Sequence, residues 1–292
     1  MLVAIPTETV YGLACNAFDE QAIRNVFQAK KRPYSDPLIV HCKDLESVRG
    51  IVSEIPPEAL ELAEKFWPGP LTLLLPKKKA LSDLLTSGSP LIAIRIPAHP
   101  LTLELLKLLD FPLAAPSANP FGYISPTTAQ HVADQLKDQV AYILDGGPCL
   151  IGIESTIIGF KRNRPEILRQ GAIPEEQILG CSSKTIDYQA PGSLKSHYSP
   201  RKNLLLGDLP TLIKKYQGQK VAILSFSKTY DQPSFTLSKK GSLEEAAHYL
   251  FAALRLLDNL EVDLIIAEEV PNTGLGKAIN ERLHKAACHK GL

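Results

Sequence analysis

The sequence predicts an α/β protein made of two domains joined by a polar linker. Three observations carry this expectation. Short apolar runs of strand length alternate with amphipathic stretches of helix length along the chain. The length, 292 residues, is enough for two domains. From Cys181 to Pro200 the composition turns polar and rich in Ser and Lys, as linkers do. The expected bounds are 1–180 for the first domain, 181–201 for the linker and 202–292 for the second domain.

The chain opens on Leu2-Val3-Ala4-Ile5, a buried strand that breaks at Pro6 into Thr7-Glu8-Thr9-Val10-Tyr11-Gly12. Hydroxyls and an acid at a strand end can present polar groups to a ligand; they can equally cap a turn. From Asp19 the period becomes helical, with Ile23, Val26 and Phe27 on one face, up to the cations Lys30, Lys31 and Arg32. Pro33 ends that helix. A strand over Pro37–His41, a helix over Leu45–Val52, a helix over Pro56–Phe66 and a strand over Leu71–Leu75 follow. Leu91–Pro97 is a further strand and Leu101–Leu109 an amphipathic helix. Pro112–Ala115 is a strand that delivers Ser117 and Asn119 onto a proline-flanked loop, both aimed one way where the backbone stays extended. Hydroxyls at Ser125–Thr128 cap a helix to Leu136. Strands are expected over Ala141–Leu144 and Gly152–Ile158. In the second domain Leu204–Leu206, Val221–Ser225 and Val262–Ala267 read as strands, and Leu243–Leu257 and Gly276–Cys288 as helices. That alternation predicts a small parallel α/β domain.

Bulk properties narrow the function. Lys and Arg number 32 against 31 Asp and Glu, so any anion site is local, not a property of the whole surface. The five cysteines are odd in number and widely spaced, which argues against a disulfide framework or a zinc site and for a reducing compartment. No apolar run is long enough to span a bilayer and no signal peptide is visible, so a cytoplasmic protein is expected. A P-loop, a dinucleotide fingerprint, a G-x-S-x-G elbow and H-E-x-x-H are all missing from the sequence.

What remains is a set of hydroxyls and cations at strand ends in the first domain. The Lys30–Arg32 row suits a polyanion, or simply complements the end of a helix dipole. Arg95 stands in an apolar strand, so it either points outward or reaches an anion in a pocket. With Thr9, His41, Ser117, Asn119, Ser155 and Arg169 these residues suit a phosphorylated ligand, since cations stabilise phosphate charge and hydroxyls orient it.

The motifs are more specific together than singly. P-T-E-T-V-Y-G-L at Pro6–Leu13, A-K-K-R-P-x-x-D-P-L-I-V-H at Ala29–His41 and W-P-G-P-L-T at Trp67–Thr72 keep their order with I-R-I-P at Ile94–Pro97 and A-P-S-A-N at Ala115–Asn119. S-P-T at Ser125–Thr127, D-G-G at Asp145–Gly147, E-S-T-I at Glu154–Ile157 and R-Q-G at Arg169–Gly171 follow. The set resembles the threonylcarbamoyl-AMP synthase family. P-G-S-L-K-S-H-Y-S-P at Pro191–Pro200 and the extra domain resemble its longer, two-domain branch.

The resemblance implies a YrdC-like twisted mixed sheet with flanking helices, plus a smaller C-terminal Rossmann-like α/β domain. It implies a nucleotidyltransferase that makes threonylcarbamoyl-AMP and pyrophosphate from L-threonine, bicarbonate and ATP, for threonylcarbamoyladenosine modification of tRNA. Mg2+ is expected on the phosphates, with no metal site on the protein. A downstream tRNA threonylcarbamoyl transferase is the implied partner, with a weak tRNA contact and no membrane. Lys30 and Arg32 are implied to hold the triphosphate as the catalytic cations. Asp36, Ser117, Asn119, Ser125 and Arg169 would line the ATP site, with His197 or Tyr198 closing over it; an ordinary exposed turn is the plain alternative for that pair. Thr9, His41, Arg95, Ala115 and Ser155 would surround threonine, Arg95 facing its carboxylate.

Three departures from the family pattern stand out. Family members carry a further helix and strand start before P-T-E-T, where this chain has Met1–Ile5, so a strand edge and its cover are expected to be missing. Lys31 replaces a small residue, which is expected to alter the loop. Pro120-Phe121 replaces smaller polar residues, which is expected to change the adenine side. Two other classes compete. A carbamoyl transferase module of the hydrogenase-maturation type would come with acylphosphatase and zinc-finger segments, and the sequence has neither. A non-catalytic tRNA or double-stranded RNA-binding module would need a broad basic face.

Overall fold

The computed structural model describes residues 1–162, 164–178, 191 and 197–288. They form two compact units. One comprises Met1–Phe121, Pro126–Leu150 and Glu154–Ser193; the other comprises Gly122–Ser125, Ile151–Ile153 and Leu194–Leu292. Most of the expected linker, 181–201, lies outside the described residues. Its last residues, from His197, fall in the second unit.

In the first unit the elements are β1 (Val3–Ile5), β2 (Gly12–Asn16), α1 (Glu20–Lys30), β3 (Ile39–His41), α2 (Leu45–Ile51), α3 (Pro57–Phe66) and β4 (Leu71–Pro76). Then come β5 (Leu91–Arg95), α4 (Pro100–Leu108), β6 (Leu113–Ala114), α5 (Ala129–Leu136), β7 (Tyr142–Ile143), β8 (Thr156–Lys161) and β9 (Arg164–Arg169). Among the described residues these nine strands make one twisted mixed sheet in the order β7-β1-β2-β6-β3-β5-β4-β8-β9. The central strands bury Leu13, Val40, Leu71, Leu73 and Ile94. Burial on both faces explains why β3, β4 and β5 read as continuous apolar runs rather than as alternation.

The N-terminal departure has a simple outcome in the fold. Val3–Ile5 is not a bare edge, because β1 pairs with β2 on one side and with β7 on the other. Three readings need correction. Gly12–Asn16 is a strand that its Gly and Cys content conceals. Gly152–Ile158 is not one strand: β8 begins at Thr156, and Gly152 sits at φ 85°, a left-handed conformation that glycine tolerates. The Ser117–Asn119 backbone is not extended, since the Asn119 N–H bonds the Ser117 carbonyl at 3.0 Å in a tight turn.

α1 shows how local chemistry sets the first cationic motif. Asp19 caps it by accepting from the Ala22 N–H, while Ile23, Val26 and Phe27 bury its inner face. The helix stops because Lys31 turns left-handed at φ 53°, its N–H closing on Gln28. This is the position where helices favour glycine, which accounts for the small residue expected there. The turn separates Lys30 from Arg32 and sends their side chains to different partners.

The second unit adds β10 (Asn203–Leu206), α6 (Leu209–Lys215), β11 (Val221–Ser225), β12 (Ser234–Thr236), α7 (Leu243–Asn259), β13 (Leu264–Ala267) and α8 (Leu275–Ala287). Its four described strands are parallel, in the order β10-β13-β11-β12. The sequence reading misses α6 and β12, which are short and carry no apolar run of their own. Asp258 on α7 is buried and ties the unit's discontinuous segments: it accepts from the Tyr123 hydroxyl at 2.6 Å and from the Arg201 and Lys202 N–H groups at 2.9 and 3.0 Å. Tyr198 is buried at φ 63°, stacked on Phe251 with Arg282 over its ring, and His197 lies edge-on to it. The pair is therefore not an exposed turn. Ser125 is buried too, its carbonyl accepting from Arg255. None of the described helices is long and apolar enough to cross a membrane.

Lys31→Gly removes the Cβ penalty of the left-handed turn and is expected to stabilise the first unit by about 1 kcal/mol. Urea denaturation checks this; an unchanged or lower midpoint would show that the turn is unstrained.

Candidate active site

The site of the first unit is built on buried charge. Lys30, at the end of α1, is 1% exposed, and its ammonium donates to the Ser117 and Asn119 carbonyls at 2.5 Å each. Its own carbonyl accepts from the Phe121 N–H at 2.8 Å. Three predicted residues are thus gathered at one point, two of them through backbone carbonyls. Among the described residues no carboxylate pairs with Lys30. Burial, and then the Arg32 charge, hold its pKa well below the ordinary lysine value, against the opposing pull of Asp36. A buried amine that spends its hydrogen bonds on two neutral carbonyls, with no carboxylate in contact among the described residues, favours a ligand that brings negative charge.

Arg32 is anchored differently. It pairs with Asp36 at 2.9 Å and donates to the Asp36 and Pro37 carbonyls, with Phe121 beneath its guanidinium at 5.9 Å. Asp36, expected to line the nucleotide site, is therefore also the internal partner of Arg32. The Pro120-Phe121 departure serves packing here: Asn119 bonds the Pro120 carbonyl and Phe121 supports Arg32.

The second group of predicted residues lies around Arg95. β3 pairs with β5 so that His41 stands opposite Arg95, which puts both side chains on one sheet face. Leu73 pairs with Ile94, so Thr72 falls beside Arg95 on the next strand. Arg95 is 3% exposed; it donates from Nε to the Gly69 carbonyl at 3.1 Å and from NH1 to Thr9 Oγ1 at 2.8 Å, and pairs with Glu8 at 2.6 Å. Of the two readings open for Arg95, the inward one holds, but its anion is Glu8 of the same chain. His41 is buried, and its pKa is pushed down to about 3 by burial and the Arg95 charge. It is neutral at physiological pH, and its Nδ1 has no hydrogen-bond partner among the described residues.

Ser155 completes this side. Its hydroxyl meets Thr72 Oγ1 at 2.7 Å, and Arg169 wraps it with bonds to its carbonyl at 3.1 and 2.8 Å and to its hydroxyl at 3.0 Å. The R-Q-G glycine has a steric reason: a Cβ on Gly171 would stand 2.4 Å from the Ser155 carbonyl carbon. Ala115 is fixed by its N–H to the Ile39 carbonyl at 2.9 Å and packs against Gly12. Ser125, His197 and Tyr198 belong to the second unit, described above.

Sequence reasoning missed four residues that hold this arrangement. Glu8 is the ion partner of Arg95. Tyr11 ties the D-G-G turn, donating to the Gly147 carbonyl at 2.7 Å and accepting from the Gly146 N–H at 3.1 Å. Thr72 aligns Ser155 and Gly171 lets the chain pass it. All four sit inside the quoted motifs, so the signal was present as motif membership without a role. The buried thiols of Cys15, Cys42 and Cys149 are each pushed up to about 12 by burial and are poor nucleophiles.

Chemically, these residues supply a buried amine, three oriented guanidinium groups, a neutral imidazole and aligned hydroxyls. They can bind and orient anions, and among the described residues no activated nucleophile stands with them. Comparison with known proteins agrees with that class. Residues 1–171 match the Sua5/YciO/YrdC family, described as "Telomere recombination", which makes the first unit a YrdC-type fold. Residues 162–288 match "Threonylcarbamoyl-AMP synthase, C-terminal domain". The threonylcarbamoyl-AMP synthase of Pyrococcus abyssi is 42% identical over 312 residues, covering 99% of this chain and 91% of that protein. That of Bacillus subtilis is 41% identical, covering 98% and 89%. The crystal structure of P. abyssi Sua5 complexed with L-threonine superposes with a TM-score of 0.91 at 41% identity, covering 98% of this chain and 90% of that one. The chain belongs to the threonylcarbamoyl-AMP synthase family of enzymes.

Two predictions follow from this geometry. His41 takes up its proton near pH 3 when folded but near 6.5 when unfolded, so the unfolded chain binds more protons between those values and stability falls as pH drops through that window. His41→Gln is expected to flatten the stability–pH curve there by about 1.4 kcal/mol per pH unit, read by urea denaturation; an unchanged slope would place the acid sensitivity elsewhere. Gly171→Ala must displace the Ser155 backbone and is expected to cost about 2 kcal/mol or more, seen as a lower thermal midpoint. A midpoint equal to the wild type would refute the close approach.

Proposed function

We propose that this chain condenses L-threonine, bicarbonate and ATP into threonylcarbamoyl-AMP and pyrophosphate, for the threonylcarbamoyl modification of tRNA. The observation that carries the reading is the presence of two buried cationic clusters, Lys30 on the Ser117–Asn119 turn and Arg95 with Thr9. One suits a polyphosphate and the other an amino acid.

Lys30 and Arg32 take the triphosphate. Its charge gives the Lys30 ammonium the counter-ion it lacks, which favours the protonated form. Asp36, Ser117, Asn119 and Arg169 line the nucleotide. Ser125, His197 and Tyr198 are further nucleotide contacts on the strength of their sequence motifs. Thr9, His41, Ala115 and Ser155 surround threonine, and Arg95 takes its carboxylate. Bicarbonate takes up a proton and breaks a carbon–oxygen bond to release water, leaving carbon dioxide. The neutral amine nitrogen bonds to its carbon and gives up a proton, which balances the one consumed, leaving a carbamate. A carbamate oxygen then attacks the α-phosphorus of ATP, and the bond to pyrophosphate breaks. Neutral His41 offers a hydrogen bond without adding charge beside Arg95. No covalent enzyme intermediate is involved, in keeping with buried, protonated thiols; positioning and charge stabilisation do the work. Mg2+, when bound with ATP, would supply charge neutralisation to the phosphates. The adenylate passes to a tRNA threonylcarbamoyl transferase, with a weak contact to tRNA on the way.

Pyrophosphate release from ATP, run with bicarbonate, is expected to require L-threonine and not to be matched by L-serine. Release that ignores the amino acid, or none from folded protein, would reject the reading and favour an RNA-binding role. Lys30→Met is expected to weaken ATP binding by about tenfold or more, as loss of a buried charge-assisted contact does, while L-threonine binding persists. Calorimetric titration of both ligands checks this; equal ATP affinity would remove Lys30 from the triphosphate.

A further inference from the structure

Glu8 has no place in the scheme above, yet it is buried against the residue that the scheme gives to the substrate carboxylate. One oxygen, Oε2, accepts from the Ala98 N–H at 3.1 Å and fixes the side chain against the strand exit. The other, Oε1, lies 2.6 Å from NH2 of Arg95. The approach is off the N–H directions, so neither Oε1 nor NH2 has a hydrogen-bond partner among the described residues. Arg95 is held in orientation by Gly69 on Nε and by Thr9 on NH1. Glu8 thus contributes negative charge without consuming the donors of NH2.

We propose that Glu8 is a positioning residue that sets the amino-acid affinity of the site by screening Arg95 while leaving its NH2 donors without a hydrogen bond. The inference rests on the assignment of Arg95 to the substrate carboxylate. A carboxylate arriving at Arg95 is attracted by the guanidinium and repelled by Glu8, both across a low-dielectric interior. It therefore binds an oriented donor set more weakly than it would bind a lone guanidinium. Without Glu8 the substrate would become the counter-ion that keeps Arg95 buried. Ground-state affinity of that kind adds nothing to the chemical step. Screening keeps the geometry and sheds the excess grip. Glu8 also precedes Thr9 directly, so one short loop supplies both the screening charge and the hydroxyl that aims NH1.

The test is Glu8→Gln in the full chain, titrated calorimetrically with L-threonine and with L-threoninamide, which lacks the carboxylate. Glutamine keeps the size and an oxygen for the Ala98 N–H. E8Q is expected to bind L-threonine about tenfold tighter, the effect of roughly 1.4 kcal/mol of relieved repulsion. L-threoninamide should gain nothing. A purely structural role for Glu8 would weaken both ligands, so a gain confined to the acid is diagnostic. Equal or weaker binding of L-threonine by folded E8Q overturns the proposal. Where E8Q is unstable alone, its thermal midpoint should rise more on adding L-threonine than that of the wild type. E8Q that cannot be recovered folded even at high L-threonine also overturns it, because the substrate carboxylate should then replace Glu8. Wild-type protein that fails to distinguish the acid from the amide removes the Arg95 assignment and this proposal with it; a wild type that distinguishes them, with no gain in E8Q, removes the proposal alone.

Discussion

A guanidinium taken out of water must meet acceptors, and Arg95 finds them on two separate segments. Gly69 comes from the loop before β4, and Glu8 and Thr9 from the loop after β1. Ala98, just past β5, closes the circuit onto Glu8. Breaking a buried pair of this kind is costly because it strands a charge. The loop after β1 is therefore pinned over the sheet by the same contacts that aim the proposed substrate ligands. Arg169 repeats the device at Ser155, and Lys30 at the Ser117–Asn119 turn. In each case a cation holds backbone carbonyls in place, which makes the site rigid before any ligand arrives.

The cations differ in how fully they are satisfied. Arg32 and Arg95 have carboxylate partners, and Lys30 has carbonyls alone. That difference separates charge held in balance from charge held in reserve. A ligand phosphate gains most where the balance is missing, so Lys30 is the point at which the first unit's stability and its ligand affinity are opposed. The depressed pKa of Lys30 and of His41 are two results of one cause, since both groups are deprived of water and stand near a guanidinium.

Much of this was legible in the sequence, and for identifiable reasons. Long apolar runs such as Leu71–Leu75 and Leu91–Ile96 announce central strands because burial on both faces admits little else. The start of α1 was legible from its Asp19 cap, whereas its end is set by the left-handed turn at Lys31 and not by Pro33. β2 was not: its Gly and Cys positions carry weak strand preference, and only pairing with β1 and β6 makes it a strand. The residue types of the site were legible from the motifs, but their partnerships were not. Nothing in P-T-E-T says that its acid will face Arg95, eighty-odd residues on, because that contact depends on how β1 and β5 are placed across the sheet. Equally, the alternation rule that aimed Ser117 and Asn119 together presumes an extended chain, and the turn at Ala118 removes that premise.

The second unit's use of Gly122–Ser125 and Ile151–Ile153 has a consequence for how this chain could be divided. Both segments lie far before the linker in sequence, and for Gly122–Ser125 it is Asp258 and Arg255 on α7 that supply the partners. No single cut in the polypeptide separates the two units intact. A fragment ending at the linker would carry Tyr123 and the Ser125 carbonyl without the residues that satisfy them. A fragment beginning there would leave the Asp258 carboxylate without its phenol. Moving the second unit onto another scaffold would have to bring Gly122–Ser125 along.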